Sequence, residues 1–262
     1  MIRRINTGRS HHYVDDTGRR VPGVTTLIGD GVPKPALINW AASATIDYAI
    51  DHWDHLSTLP PSARQKELSG ARYAAKDAAA NKGTRVHALA ERLVHGDRVP
   101  VADELAGHVQ AYVRFLDEWD VQPVLVERTV HSVTHDYCGT FDLIADLIDP
   151  GSDERVRWLL DIKTSRSGIF GETALQLAAY RYADVWIDEQ AGTEHDMPDV
   201  DAVGAVHVRA DGYSLIPVEA GELQHRQFLY VAQVAAFQAG SRDLVGAPLT
   251  PPGASTYELV RS

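Results

Sequence analysis

The sequence predicts an α/β (α+β) fold: a mixed central sheet flanked by helices, with an α-rich addition at the N-terminal side. Three observations carry this. Apolar residues recur at helical spacing over much of the first 120 residues. The period then changes, and PVLVERTVHSV (123–133), YCGTFDLIADLID (137–149) and RVRWLLDIKT (155–164) are rich in β-branched and apolar residues. Beyond them, helical and strand-like segments alternate.

The elements follow in order. Residues 11–30 place apolar residues around the turn-forming Asp16-Thr17-Gly18, which predicts a small hairpin. Pro35 to Trp53 reads as a helix, with proline near its start. Ser62 to Ala80 is an Ala-rich helix that Asn81-Lys82-Gly83 should break. Thr84 then caps a new helix with Val86, Leu89, Ala90, Leu93 and Val94 as its stripe. Asp103 to Trp119 is amphipathic through Leu105, Val109, Tyr112, Val113 and Leu116. Three antiparallel strands come next, divided at His135-Asp136 and at Pro150-Gly151-Ser152-Asp153. A helix is expected from Glu172 to about Glu189, strands at 203–208 and 213–218, and a last helix from Glu222 to Ala239. The expected division is 1–80 for the N-terminal hairpin and helical addition, 81–240 for the core and 241–262 for a Pro/Gly-containing tail.

Composition narrows the function. The 262 residues are 44% hydrophobic, enough for a full core. No apolar run approaches the roughly 20 residues that span a bilayer. MIRRINTGRSHHYVDD lacks the apolar stretch of a signal peptide, so a cytoplasmic location away from membranes is expected. The single cysteine, Cys138, excludes an internal disulfide and any all-cysteine zinc or iron–sulfur site. A net charge of −11 argues against non-specific coating of nucleic acid, but not against a metal site, which needs carboxylates.

The informative segment is Leu159-Leu160-Asp161-Ile162-Lys163-Thr164. On a strand, Asp161 and Lys163 project to one face while Leu160 and Ile162 project to the other. A hairpin through 150–153 brings Asp142 beside Asp161, and two converging carboxylates suit a hard cation with oxygen ligands. Read alone, Asp161-x-Lys163 is also what a strand-end salt bridge looks like. His87 lies on a helix with Glu91 one turn later, Gln176 and Tyr180 share a helix face, and Glu127 lies in the first of the three strands.

Taken together, GTRVH (83–87), Glu127, GTFDLIAD (139–146), LLDIKTS (159–165) and QLAAYRYA (176–183) resemble the RecB-type branch of the PD-(D/E)XK nuclease superfamily. VPGVTTLIGDGVPKPALINWA (21–41) is similar to the N-terminal part of bacteriophage recombination exonucleases of that branch, including those similar to CRISPR-associated nucleases. The resemblance implies a PD-(D/E)XK, restriction-endonuclease-like core and a Mg2+- or Mn2+-dependent DNA exonuclease that processes ends for recombination or repair. It implies that His87, Asp142, Asp161 and the Ile162 carbonyl hold the metal. Lys163 would orient or activate the attacking water, and Glu127 would sit at the edge of the site. Gln176 and Tyr180 would contact DNA. Lys82, Arg85 and Arg166, with Lys76 and Arg181, lie next to the motifs and are candidates to line a DNA groove. Many relatives hold an iron–sulfur cluster with four cysteines, which this chain lacks. No Walker A pattern is present. Implied partners are DNA ends, single- or double-stranded, and a single-strand annealing recombinase, in the cytoplasm of a bacterial host cell; an oligomer is compatible. The alternatives are an endonuclease of the same fold and a catalytically inactive DNA-binding module.

Overall fold

A computed structural model describes residues 1–7, 11–149, 151–165 and 168–249, with the backbone alone for 35–36 and 74–79. The chain opens on three short strands, β1 (Arg3–Asn6), β2 (His11–Val14) and β3 (Arg20–Val21), which form a small antiparallel sheet. The predicted hairpin is thus β2–β3, closed where Asp15 N–H donates to the Arg19 carbonyl. The rest of that segment is instead helical, as α1 (Val24–Gly31), because Val24, Leu27 and Ile28 bury one face against the main core.

Four helices follow: α2 (Pro35–Asp51), α3 (Trp53–Thr58), α4 (Pro61–Val94) and α5 (Asp103–Glu118). The break expected at Asn81-Lys82-Gly83 is absent, and α4 runs through it as one helix of 34 residues. A Cβ on Gly83 would stand 3.3 Å from the Thr164 hydroxyl. The glycine therefore serves a close approach of the helix to Thr164, not a helix end.

The strands β4 (Gln122–Ser132), β5 (Tyr137–Ile148) and β6 (Arg155–Lys163) form the predicted antiparallel run. Helix α6 ends at Arg181, not near Glu189. The β-forming Val185, Trp186 and Ile187 go instead to β7 (Val185–Asp188), which pairs with the otherwise open edge of β4 and continues into β8 (Thr193–Asp196). Then come β9 (Ala202–Arg209), parallel to β6, β10 (Gly212–Pro217) and α7 (Glu222–Gly240). The result is a seven-stranded mixed sheet in the order β10-β9-β6-β5-β4-β7-β8. After α7 there is one 3-10 turn, Ser241–Leu244, and the tail from 250 onward lies outside the described residues.

Helices cover both faces. On one, Leu159, Ile144 and Val203 pack with α1, α6 and α7 residues such as Ile28, Leu177 and Phe228. On the other, Leu143, Leu160, Ile162 and Val206 pack with Ala90 of α4 and with Tyr112 and Phe115 of α5. Burial of this area supplies the main stabilisation, at roughly 25 cal/mol per Å2 of apolar surface. Among the described residues, no helix is long and apolar enough to cross a membrane.

Candidate metal centre

Register places the acids. Val126 pairs with Leu143 and Arg128 with Phe141, so Glu127 faces Asp142 across β4 and β5. Leu143 pairs with Leu160, so one step further along the hairpin Asp142 comes level with Asp161. Three carboxylates from three adjacent strands therefore form a row, with Lys163 beyond it on β6. Helix α4 approaches the row from one side and α6 from the other.

The helices supply the partners. His87 on α4 lies 3.2 Å from Asp142, Nδ1 to Oδ1, and the Ile162 N–H donates to the other Asp142 oxygen at 2.6 Å. On α6, the Gln176 amide donates to Asp161 at 2.9 Å and its oxygen accepts from Lys163 at 3.2 Å. Lys163 Nζ is 2.8 Å from the second Asp161 oxygen. Gln176 thus fixes both the acid and the ammonium of the Asp161-Ile162-Lys163 strand end.

Burial and mutual charge set the protonation states. Asp161 is buried, which pushes its carboxyl up to about 6 despite the ammonium of Lys163. Burial works against charge on Lys163 too, yet Asp161 raises it further, so Lys163 is an ammonium donor at neutral pH. Burial also works against a charged Asp142, but His87 and the Ile162 N–H hold it below the usual carboxylate range. His87 is opposed by burial and is nonetheless raised by Asp142 to about 9. Burial, then the charge of Asp142, pushes Glu127 up to about 7.

His87, Glu127 and Asp142 each offer a ligand atom, and those atoms all lie within 4.8 Å of one another. One imidazole and two carboxylates at that spacing fit a single divalent cation, and the oxygen-rich set favours a hard one. Asp161 stands outside this group of three, engaged by Lys163 and Gln176.

The other predicted contacts differ in position. Tyr180 is 2% exposed, with its hydroxyl accepting from Gln176 at 3.2 Å, so its reach is to Gln176 and not to an exterior ligand. Arg85 is exposed and ion-paired with Glu104. Lys82 is half-buried, one residue before Gly83. Arg181 donates to the Val200 carbonyl at 2.9 Å. Arg166 and the Lys76 side chain lie outside the described residues. A cavity of about 260 Å3 opens beside Lys163 and Gln176, bounded by Thr25, Ile28, Lys34 and Phe170. A larger hollow of about 440 Å3 between α2 and α4, lined by Thr45, Arg64 and Arg72, contains none of the site residues.

Two residues of the site are not among those the sequence singled out. Gly139 on β5 passes directly under Tyr180, where a Cβ would stand 2.3 Å from the ring. Its signal was available, because it opens the GTFDLIAD string. Arg4 of β1 reaches to 3.7 Å from Glu127. Nothing local in MIRRIN marks it, because the contact depends on how the small sheet docks. No protein-family model matches the chain, and no curated protein shows significant similarity to it.

Proposed function

We propose that the chain is a divalent-metal-dependent deoxyribonuclease of the PD-(D/E)XK type, acting at DNA ends in recombination or repair. One observation carries the reading: three acids in one register row, with a helical histidine on one side and a fixed ammonium at the end. The resemblance of the motif strings supports the substrate and the preference for ends.

His87, Glu127 and Asp142 would hold Mg2+ or Mn2+, with Asp161 and the Ile162 carbonyl beside them. When bound, such an ion would neutralise the phosphate and lower the pKa of the attacking water, so that it is available as hydroxide near neutral pH. The chain does the rest. Lys163, kept charged by Asp161, donates hydrogen bonds and stabilises negative charge at the phosphate; it does not act as a base. Gln176 holds Asp161 and Lys163 in fixed orientation, and buried Tyr180 holds Gln176. The partner proposed with this activity is a single-strand annealing recombinase.

The test is digestion of end-labelled linear DNA and of circular DNA with Mg2+ or Mn2+. Linear DNA should be cut and circular DNA spared. Asp161→Ala and Lys163→Ala should each lower the rate roughly a hundredfold or more, the scale for losing one preorganised charge. Cutting of circular DNA assigns an endonuclease of the same site, and wild-type rates in Asp161→Ala would overturn the roles assigned to the site residues.

A further inference from the structure

Arg4 lies at the opposite end of the acid row from Lys163. The sheet order runs β6, β5, β4, with Asp161 and Lys163 on β6, Asp142 on β5 and Glu127 on β4. Arg4 reaches Glu127 from beyond β4, at 3.7 Å. Two cations from unrelated parts of the chain therefore bracket the acids.

The scaffold under Arg4 is firm. Arg4 pairs with Tyr13 across β1 and β2, which puts both side chains on one face of the small sheet. The Tyr13 hydroxyl is 2.9 Å from that of Thr140, two residues before Asp142 on β5. Ile2, Tyr13 and Val21 are buried with Cys138 and Ile187 of the main sheet. The Cys138 N–H donates to the Pro22 carbonyl at 2.9 Å. The small sheet is thus clamped onto β5 and β7, and it carries Arg4 to the site.

The pairing of Arg4 is incomplete. Its contact with Glu127 is longer than a hydrogen bond, and its buried Nε has no hydrogen-bond partner among the described residues. A guanidinium has five N–H donors in a planar fork that matches two oxygens of a phosphate. A half-buried guanidinium that leaves donors unused costs desolvation energy in the free protein. An anionic ligand at the acid row would meet the terminal nitrogens of the partly exposed fork, not the enclosed Nε, and nucleic acid offers a row of phosphates.

We infer that Arg4 is a phosphate-binding residue, which holds the DNA backbone at the β4 end of the acid row while Lys163 serves the β6 end. This rests on the proposed nuclease reading. It has a second consequence. Because Arg4 sits against Glu127, it opposes a cation at His87, Glu127 and Asp142 when DNA is absent. The guanidinium thus weakens metal binding to the free protein and strengthens DNA binding to the loaded one.

The experiment uses the full chain as wild type, Arg4→Gln and Arg4→Lys, with thermal melts in parallel. Mn2+ binding is followed by calorimetry without DNA. Binding of a fluorescein-labelled duplex is followed by anisotropy in Ca2+ over a range of salt. Arg4→Gln should bind Mn2+ severalfold more tightly and duplex about tenfold more weakly, with the salt slope smaller by about one phosphate contact. Arg4→Lys should keep the slope and lose severalfold in affinity, because an ammonium cannot replace the fork. Unchanged duplex affinity and slope in Arg4→Gln would overturn the proposal. So would joint weakening of Mn2+ and duplex, which marks a residue that merely supports the fold. If Arg4→Gln unfolds, Arg4→Lys decides alone, and wild-type affinity there counts against Arg4. Binding is read independently of cleavage, so Asp161→Ala digestion reports separately on the nuclease reading.

Discussion

Glu127 adopts φ of 48° on β4, directly across from Asp142. For a non-glycine residue that conformation costs on the order of 1–2 kcal/mol and persists only where the surroundings impose it. Without metal the His87 imidazole, at about 9, carries a proton at neutral pH, and the Glu127 carboxyl, at about 7, is about half protonated there. Both must lose those protons to ligate a cation. The sign follows: the raised His87 value means that its ion pair with Asp142 stabilises the metal-free fold at low pH and is lost as pH rises through about 9. Mn2+ affinity should therefore rise with pH up to that value, and binding near neutrality should release protons. Calorimetry in buffers of different ionisation enthalpy measures this, and a proton count of zero would remove His87 and Glu127 from the ligand set. Gly139 sets a different limit. A Cβ there collides with the Tyr180 ring, so Gly139→Ala should destabilise by roughly 1–3 kcal/mol in denaturant melts. It should also reduce cleavage, because Tyr180 supports Gln176.

Helix α4 carries His87 along one uninterrupted run, so the placement of the histidine depends on how that helix meets β5 and the Thr164 that follows β6. Two glycines in it make opposite predictions. Gly70 is exposed, with nothing within 4 Å of an added Cβ, so Gly70→Ala should stabilise by about 0.5–1 kcal/mol. Gly83 faces Thr164, and Gly83→Val should push the helix away from that residue, lowering both melting temperature and Mn2+ affinity. A pair of variants with equal effects would mean that the close approach does not position the helix. The same contact explains why Asn81-Lys82-Gly83 reads as a stop in isolation: helix propensity counts backbone freedom and carries no information about what lies opposite. The strand β7 was hidden for a related reason. Val185, Trp186 and Ile187 follow directly on helical spacing, and only the unpaired edge of β4 makes them a strand.

In the whole molecule the site joins β1, α4, β4, β5, β6 and α6. A cation bound there links these elements and should stabilise the native state only. At a hundred times its dissociation constant it would add about 2.7 kcal/mol. Melting temperature should rise with Mn2+ in the wild type, and the rise should vanish in Asp142→Ala; an equal rise in both would place the metal elsewhere.

Residue order is enough to predict the antiparallel run of β4, β5 and β6 and the shared face of Asp161 and Lys163. Strand alternation and a short hairpin are local properties, so they are legible from residue order. It also marked His87 and Gln176 by their motif strings. Packing between distant segments is what brings Arg4 to Glu127, puts Glu127 and not Asp161 within ligand distance of His87 and Asp142, and turns Tyr180 inward against Gly139. Those facts depend on sheet docking and on which neighbour fills each space, and neither is written in the spacing of residues along one chain.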